Sequence, residues 1–364
     1  MELERERIEA YLTSLFREET HVSSLHVLGE TREDRDVKRY GYGVPLRIEY
    51  ETPTGARKNA VLHTISAGPF GHEYMADRAQ ILLWQHAAFN RLPRHVRALD
   101  VGGFRRDGGM TSVGDADEFY LLSEYVAGEP YALDLERLTK AHAAGAADVA
   151  RADALCDYLA DIHREPTGHA ASDRASLYAR RIRELVGHGE CVMGLSDSFP
   201  PDPIVTPRIL EEIEHRLVIW RWRLKGLAHR LRVVHGDFHP WNILFGSGED
   251  FRVLDRSRGE FGEPADDVSC LTINYLFFSL RQKGRLEGVF AELFSRFWRR
   301  YLEQSRDSEM LKVVAPFYAF RGLVLCNPVW YPNLCESVRR KILSFTLAVL
   351  DAGDFDPACV NRYC

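Results

Sequence analysis

Apolar side chains first recur at helical spacing, with Ile8, Leu12, Leu15 and Phe16 on one face, which predicts an amphipathic helix. Across residues 25–66 the pattern changes to that of strands. Leu25–Gly29 is a short apolar run, Val44–Tyr50 is rich in strand formers, Thr52–Gly55 supplies turn chemistry, and Asn59–Ser66 reads as a third strand. Helical spacing returns over 72–90 through Met75, Ala79, Leu82, Leu83 and Phe89. Phe119–Tyr125 then reads as a buried strand ended by Gly128, Glu129 and Pro130. From about residue 130 the period is mainly helical. Val149, Ala152, Leu155, Leu159 and Ile162 mark one helix; Phe290, Phe294, Phe297 and Tyr301 mark another. One strand cluster interrupts them, at Leu231–His235, Asn242–Phe245 and Phe251–Leu254, the last two joined by a turn at Gly246–Gly248. The order predicts an α+β chain. Residues 1–127 hold an antiparallel sheet plus a helix, and residues 128–364 form a larger, mainly helical region with a small embedded sheet.

Composition narrows the class without naming a chemistry. The 364 residues are 45 % hydrophobic and 27 % charged, ordinary for a globular chain, which excludes a disordered tail, a collagen-like fibre and a disulfide scaffold. The net charge of −6 is spread thinly, and no concentrated basic field suggests nucleic acid as a partner. Met1–Arg7 is charged, so no secretory signal is visible, and apolar stretches such as Leu271–Leu280 are far shorter than the ~20 residues of a membrane span. A cytoplasmic chain with no membrane partner is expected. The seven cysteines show no C-x-x-C pair, so neither a zinc ribbon nor a thioredoxin-like site is indicated, and most are expected to be small buried residues.

The most informative stretch runs from Val233 to Phe245, leaving one buried strand, crossing a polar loop and entering another. Within it His235, Asp237 and Asn242 have the H-x-D-x-x-x-x-N spacing of kinase catalytic loops. Phosphoryl transfer needs a carboxylate to orient the attacking hydroxyl and accept its proton, plus oxygen ligands for magnesium. Asp237 suits the first task and Asn242 the second. A zinc reading of His235 and His239 fails on context, because Gly236 and Pro240 oppose a helix there and no third ligand is near in sequence. Asp255 ends the next strand, where a carboxylate would face the same loop and bind magnesium. Gly262 to Val268 opens a helix in which Asp267 is set to accept backbone N–H bonds from the loop, with a plain N-terminal helix acid as the bland alternative.

Together these residues resemble the aminoglycoside phosphotransferase and choline kinase-like superfamily, the small-molecule relatives of protein kinases. The resemblance is carried by His235–Asn242, Val253–Asp255 and Gly262–Asp267, by Leu159–His163, and by Leu121–Gly128, which is similar to the family's hinge strand. It implies a two-lobed protein-kinase-like fold. It implies also that Asp237 is the catalytic base, that Asn242 and Asp255 hold Mg2+, and that His235 and Asp267 support the catalytic loop. The backbone of Glu124 and Val126 would meet the adenine of ATP, with GTP left open. The acceptor would be a small hydroxylated molecule.

The sequence also departs from that pattern. His63 stands where the family carries a phosphate-gripping Lys, and Lys58 lies on the wrong side of the apolar run. The residue that would hold such a Lys falls among Glu73, Asp77 and Arg78. Lys38–Gly43 is the candidate phosphate-covering loop, with Gly41 and Gly43 permitting close backbone approach. Arg256 and Arg258 follow Asp255; they either pair with Glu260 or Glu263 at the surface or favour an acidic or phosphorylated substrate. Trp220, Trp222, Trp298, Trp330 and Tyr331 are expected mostly in the core, with an aromatic cage for a quaternary ammonium as the alternative. The acidic tail Asp351–Asp356 favours a cationic acceptor. His63 motivates a second reading, a nucleotide-binding pseudokinase or regulatory module. Retention of Asp237, Asn242 and Asp255 together speaks against it.

Overall fold

Helix α1 (Arg5–Phe16) follows the predicted apolar stripe and buries Ile8 and Leu12. They pack on a three-stranded antiparallel sheet ordered β1 (His21–Val27), β2 (Leu46–Glu51) and β3 (Arg57–Leu62). Alternation along the strands turns Val22, Ile48 and Tyr50 towards the helix, and these five residues form a small buried cluster, with Phe16 stacked on Tyr50. The structure is a computed structural model that describes residues 4–28, 43, 45–68, 71–164 and 168–364. Its chain divides into two compact units, Met1–Ser123 and Glu124–Cys364.

The first unit continues with α2 (Met75–Phe89), none of whose residues is buried, and a short hairpin of β4 (Gly102–Phe104) and β5 (Met110–Ser112). The expected buried strand at Phe119–Tyr125 is absent. No ladder pairs these residues, and Tyr120, Leu121, Leu122 and Tyr125 are about nine-tenths exposed. A strand persists only where its N–H and C=O groups find a neighbour, and the first residues beyond this stretch to find one are Glu129 and Pro130.

The second unit starts there with β6 (Glu129–Pro130), followed by α3 (Tyr131–Leu138), α4 (Ala146–Ile162), α5 (Ala171–Gly187), α6 (Val192–Ser198) and α7 (Pro207–Leu224). Four short strands follow: β7 (Arg232–Val233), β8 (Ile243–Phe245), β9 (Phe251–Val253) and β10 (Phe261–Gly262). They do not form the single embedded sheet that was expected. β8 pairs with β9 and β6, while β7 pairs with β10, because the loop after β7 turns away before β8 begins. Beyond them run α8 (Pro264–Lys283), α9 (Gly288–Ser305), α10 (Met310–Val313), α11 (Ala315–Cys326) and α12 (Glu336–Asp351). Helix α8 is buried from Pro264 to Leu280, so it is the axis of this core; α9 lays Phe290, Phe294, Phe297 and Tyr301 against the neighbouring helices. No helix of the described residues is long and apolar enough to cross a membrane.

Candidate active site

Asp237 lies in the loop between β7 and β8, and its position is set by groups far off in sequence. Gly236 has φ of +88°, a conformation that glycine tolerates at little cost, and a Cβ there would press on Arg258. The backbone N–H groups of His235 and Gly236 donate to the two carboxylate oxygens of Asp267, at 2.8 and 2.7 Å. Asp267 is fully buried at the start of α8 and also meets His163 Nε2 at 3.1 Å, while the other ring nitrogen of His163 meets the Tyr301 hydroxyl at 2.8 Å. Burial alone would raise the Asp267 carboxyl, but the hydrogen bond and charge of His163 and the loop amides outweigh it and hold the group below its usual range. His235 and His239 do not converge as metal ligands. Each Nδ1 accepts a backbone N–H two residues on, from Asp237 and from Trp241, both at 3.2 Å.

The two residues expected to hold a metal, Asn242 and Asp255, lie on neighbouring paired segments. Pro240–Asn242 forms a 3-10 turn, and Asn242 Nδ2 donates to the Asp237 carbonyl at 3.1 Å, which turns its Oδ1 into the available ligand atom. Leu254 N donates to the Asn242 carbonyl at 2.8 Å, extending the β8–β9 ladder by one pair and bringing the next residue, Asp255, alongside. Asp255 is exposed with φ of +56°, in the left-handed region that Asp enters more readily than most residues. A carboxylate and an amide oxygen are hard donors suited to magnesium, and they leave room for phosphate oxygens.

Residues 76–307 match the phosphotransferase enzyme family, over more than half of the chain. The chain belongs to that family. No match was found among curated proteins. Similar solved structures include an amicoumacin kinase, hAmiN, in complex with AMP-PNP, Ca2+ and Ami; identity is 13 %, 92 % of this chain and 91 % of that chain are covered, and the TM-score is 0.43. A thermostable mutant of the aminoglycoside phosphotransferase APH(4)-Ia, in a ternary complex with ADP and hygromycin B, has 14 % identity, coverage of 95 % and 98 %, and a TM-score of 0.38. A choline kinase from Cryptosporidium parvum has 13 % identity, coverage of 93 % and 86 %, and a TM-score of 0.33.

Sequence reasoning missed Arg321, the nearest cation to Asp237 in this phosphotransferase. Arg321, on α11, donates through Nη1 to Asp237 Oδ1 and through Nη2 to the Gly236 carbonyl and Asp266 Oδ1, at 3.1 and 2.7 Å. Asp266 Oδ2 in turn accepts from Arg181 at 2.9 Å. Burial would raise the Asp237 carboxyl, yet Arg321, Arg258 and His239 hold it down at about 2. The signal was present in the chain: Arg321 is the one charge in the apolar run Ala315–Cys326, and a lone cation there must find a buried partner. Arg256 and Arg258 also depart from the surface-pairing expectation. Arg256 donates to the carbonyls of Val234 and Glu260, Arg258 approaches Asp237 to 3.7 Å, and Glu263 is fully buried against Arg230 and Tyr178.

The nucleotide-side candidates are less defined. His63 is exposed just beyond β3. Asp77 accepts the Tyr74 N–H at 2.7 Å, and Arg78 donates to the carbonyls of His72 and Glu73, so both close the first turn of α2. Gly41 and most of the Lys38–Gly43 loop lie outside the described residues; Gly43 is described, and a Cβ on it would collide with the Thr64 carbonyl. Glu124 is exposed and Val126 half-buried, both within the unpaired stretch before β6. Of the aromatic residues, Tyr331 is half-buried with its ring 5.3 Å from that of Phe277, and Trp330 is exposed, against the core expectation. Trp220 and Trp298 are core, while the ring of exposed Trp222 is covered by Lys225 Nζ at 3.2 Å. The acidic tail is also committed locally, Asp351 to Arg216 at 2.9 Å and Asp356 to the Ala358 N–H.

Proposed function

We propose that this phosphotransferase moves the γ-phosphoryl group of ATP onto a hydroxyl of a small molecule. Asp237 and Asn242 in one loop, braced by the buried Asp267, are the observation that carries this reading. Arg321 occupies Asp237 Oδ1, so Oδ2 is the atom left to receive the acceptor hydroxyl. Asp237 orients that hydroxyl and takes its proton as the new P–O bond forms and the bond to the ADP oxygen breaks. Asn242 Oδ1 and the Asp255 carboxylate are the ligands for Mg2+, which neutralises phosphate charge when bound. His235 and Asp267 keep the loop in shape. Residues 1–127 carry nucleotide binding through Gly41, Gly43 and His63, with Glu124 and Val126 meeting the adenine edge through their backbone. Residues 128–364 beyond them carry the catalytic loop and the acceptor site.

The test is ADP release from ATP with magnesium across a panel of hydroxylated compounds, repeated with Asp237→Ala. Turnover in the native chain and its loss in the variant, with ATP-induced thermal stabilisation retained in both, is the expected result. Undiminished turnover in Asp237→Ala removes the assignment. Stabilisation by ATP with no turnover on any compound favours a nucleotide-binding regulatory module instead.

A further inference from the structure

Arg258 is a largely buried cation with no carboxylate within hydrogen-bond distance. Its side chain is 12 % exposed, and its Nε and Nη1 have no hydrogen-bond partner among the described residues. The nearest carboxylate oxygen is Asp237 Oδ1 at 3.7 Å, and that oxygen already accepts from Arg321. Arg321, 7 % exposed, leaves its own Nε unpartnered. The other groups facing this cluster do not supply the missing charge. Asp266 is divided between Arg181 and Arg321, Glu184 lies 3.6 Å from Arg181 and also binds Arg180, and His239 approaches Asp237 from the other side at 3.7 Å. Both guanidiniums lie over the Phe320 ring, at 5.2 and 4.8 Å, which lessens but does not replace the loss of an anion. A buried guanidinium without a carboxylate is costly to a fold, and an apolar side chain of similar size would serve the fold as well or better. Its presence beside Asp237 points to a ligand.

We infer that the acceptor carries an anionic group, a carboxylate or a phosphate monoester, close to its reacting hydroxyl, and that Arg258 and Arg321 bind that group beside Asp237. This rests on the phosphotransferase reading above. The anion is assigned to the acceptor and not to the nucleotide because both guanidiniums gather at Oδ1 of Asp237, the carboxylate whose other oxygen is proposed to hold the hydroxyl. No ion pair joins either of them to Asp255 among the described residues. A cationic acceptor such as an amino alcohol is disfavoured at the same place, since Arg321 already neutralises Asp237 and Arg258 would face the added charge.

The experiment compares acceptors matched in size: glycerate with glycerol, gluconate and glucose 6-phosphate with glucose, and ethanolamine, choline and glucosamine as cations. For anionic acceptors kcat/KM is expected to be at least about tenfold higher, the scale of one or two charge-assisted hydrogen bonds. Arg258→Met should erase that advantage through the acceptor KM, leave the KM for ATP within about twofold, and leave Tm unchanged or raised. Inorganic sulfate, compared with chloride at equal ionic strength, should raise Tm of the native chain and not of Arg258→Met. Equal or better use of neutral or cationic acceptors overturns the inference. So does a rise in the KM for ATP in Arg258→Met, which assigns the arginine to the nucleotide phosphates. A fall in Tm with the sulfate response intact assigns it to the fold and overturns the inference too. Absence of transfer to every compound, with no Asp237-dependent ATP turnover, overturns the phosphotransferase reading itself, and the sulfate response then decides separately whether Arg258 binds an anion.

Discussion

Helix α2 follows β3 and helix α8 follows β10, yet the two helices are held differently. Helix α8 is buried along most of its length, and its first turn carries Asp266 and Asp267, which tie Arg181, Arg321, His163 and two loop amides together. Helix α2 has no buried residue, and its Trp84 is 72 % exposed. The same contrast separates Asp237, clasped by a guanidinium, from His63, exposed at a strand end. The proposed catalytic groups of the Glu124–Cys364 unit are therefore held by buried polar contacts. In the Met1–Ser123 unit His63 stands just beyond the end of β3, a strand of a small sheet whose buried core is five residues.

Five measurements break or sharpen that contrast. The largest effect is expected from Asp237→Asn, which keeps the shape of the side chain but cannot accept a proton. Transfer should fall by about 10²–10⁴-fold, followed as ADP release, while the thermal shift produced by ATP is retained. Asp267→Ala comes next. It strips two loop amides and His163 of a buried acceptor, and urea unfolding should register a loss of about 3–5 kcal/mol. A loss under 1 kcal/mol would mean that the loop holds its own shape (about one ordinary hydrogen bond).

Acid is the third probe. Asp148, Asp202 and Asp267 all have carboxyls held below their usual range, each raised by burial but lowered further by its arginine or histidine partner and by backbone amides. A depressed carboxyl contributes stability above the unfolded value of about 4, and that stability is lost as pH falls through the folded value. Near-UV circular dichroism should accordingly report loss of native packing below about pH 4, and Asp267→Ala should flatten that dependence. In the Met1–Ser123 unit the depressed carboxyls, Glu49 and Asp107, are solvent-facing and add little.

Smaller effects belong to the first unit. His63→Lys should lower the KM for ATP by up to about tenfold, since an ammonium reaches further and stays charged; an unchanged or higher KM would separate His63 from the nucleotide. Trp84→Ala should alter urea stability by no more than about 0.5 kcal/mol. A larger loss would show that α2 is packed more firmly than its exposure indicates.

Legibility followed the range of each interaction. The β2–β3 hairpin, α4 and α9 were readable because their signals are periodic and local. The β4–β5 hairpin went unread although Asp107 and Gly108 mark its turn, with Gly108 at φ of +82°, because its strands are only three residues long and β4 begins with two glycines. The strand expected at Phe119–Tyr125 failed for the opposite reason: its composition suits a strand, but composition supplies no pairing partner. β7 was readable as extended chain, but its pairing with β10 and not β8 was not, since register depends on where the intervening loop returns.

By itself the sequence determined the α+β character, the membership of the phosphotransferase enzyme family, and the local chemistry of Asp237 and Asn242, five residues apart in one loop. Spacing that short constrains side chains whatever surrounds them. Only the tertiary structure decided the electrostatic setting of Asp237: Arg321 lies 84 residues away and Arg258 reaches back from beyond β9. A buried charge must be answered by whichever group packing brings within a few ångströms, and that distance is unrelated to separation along the chain.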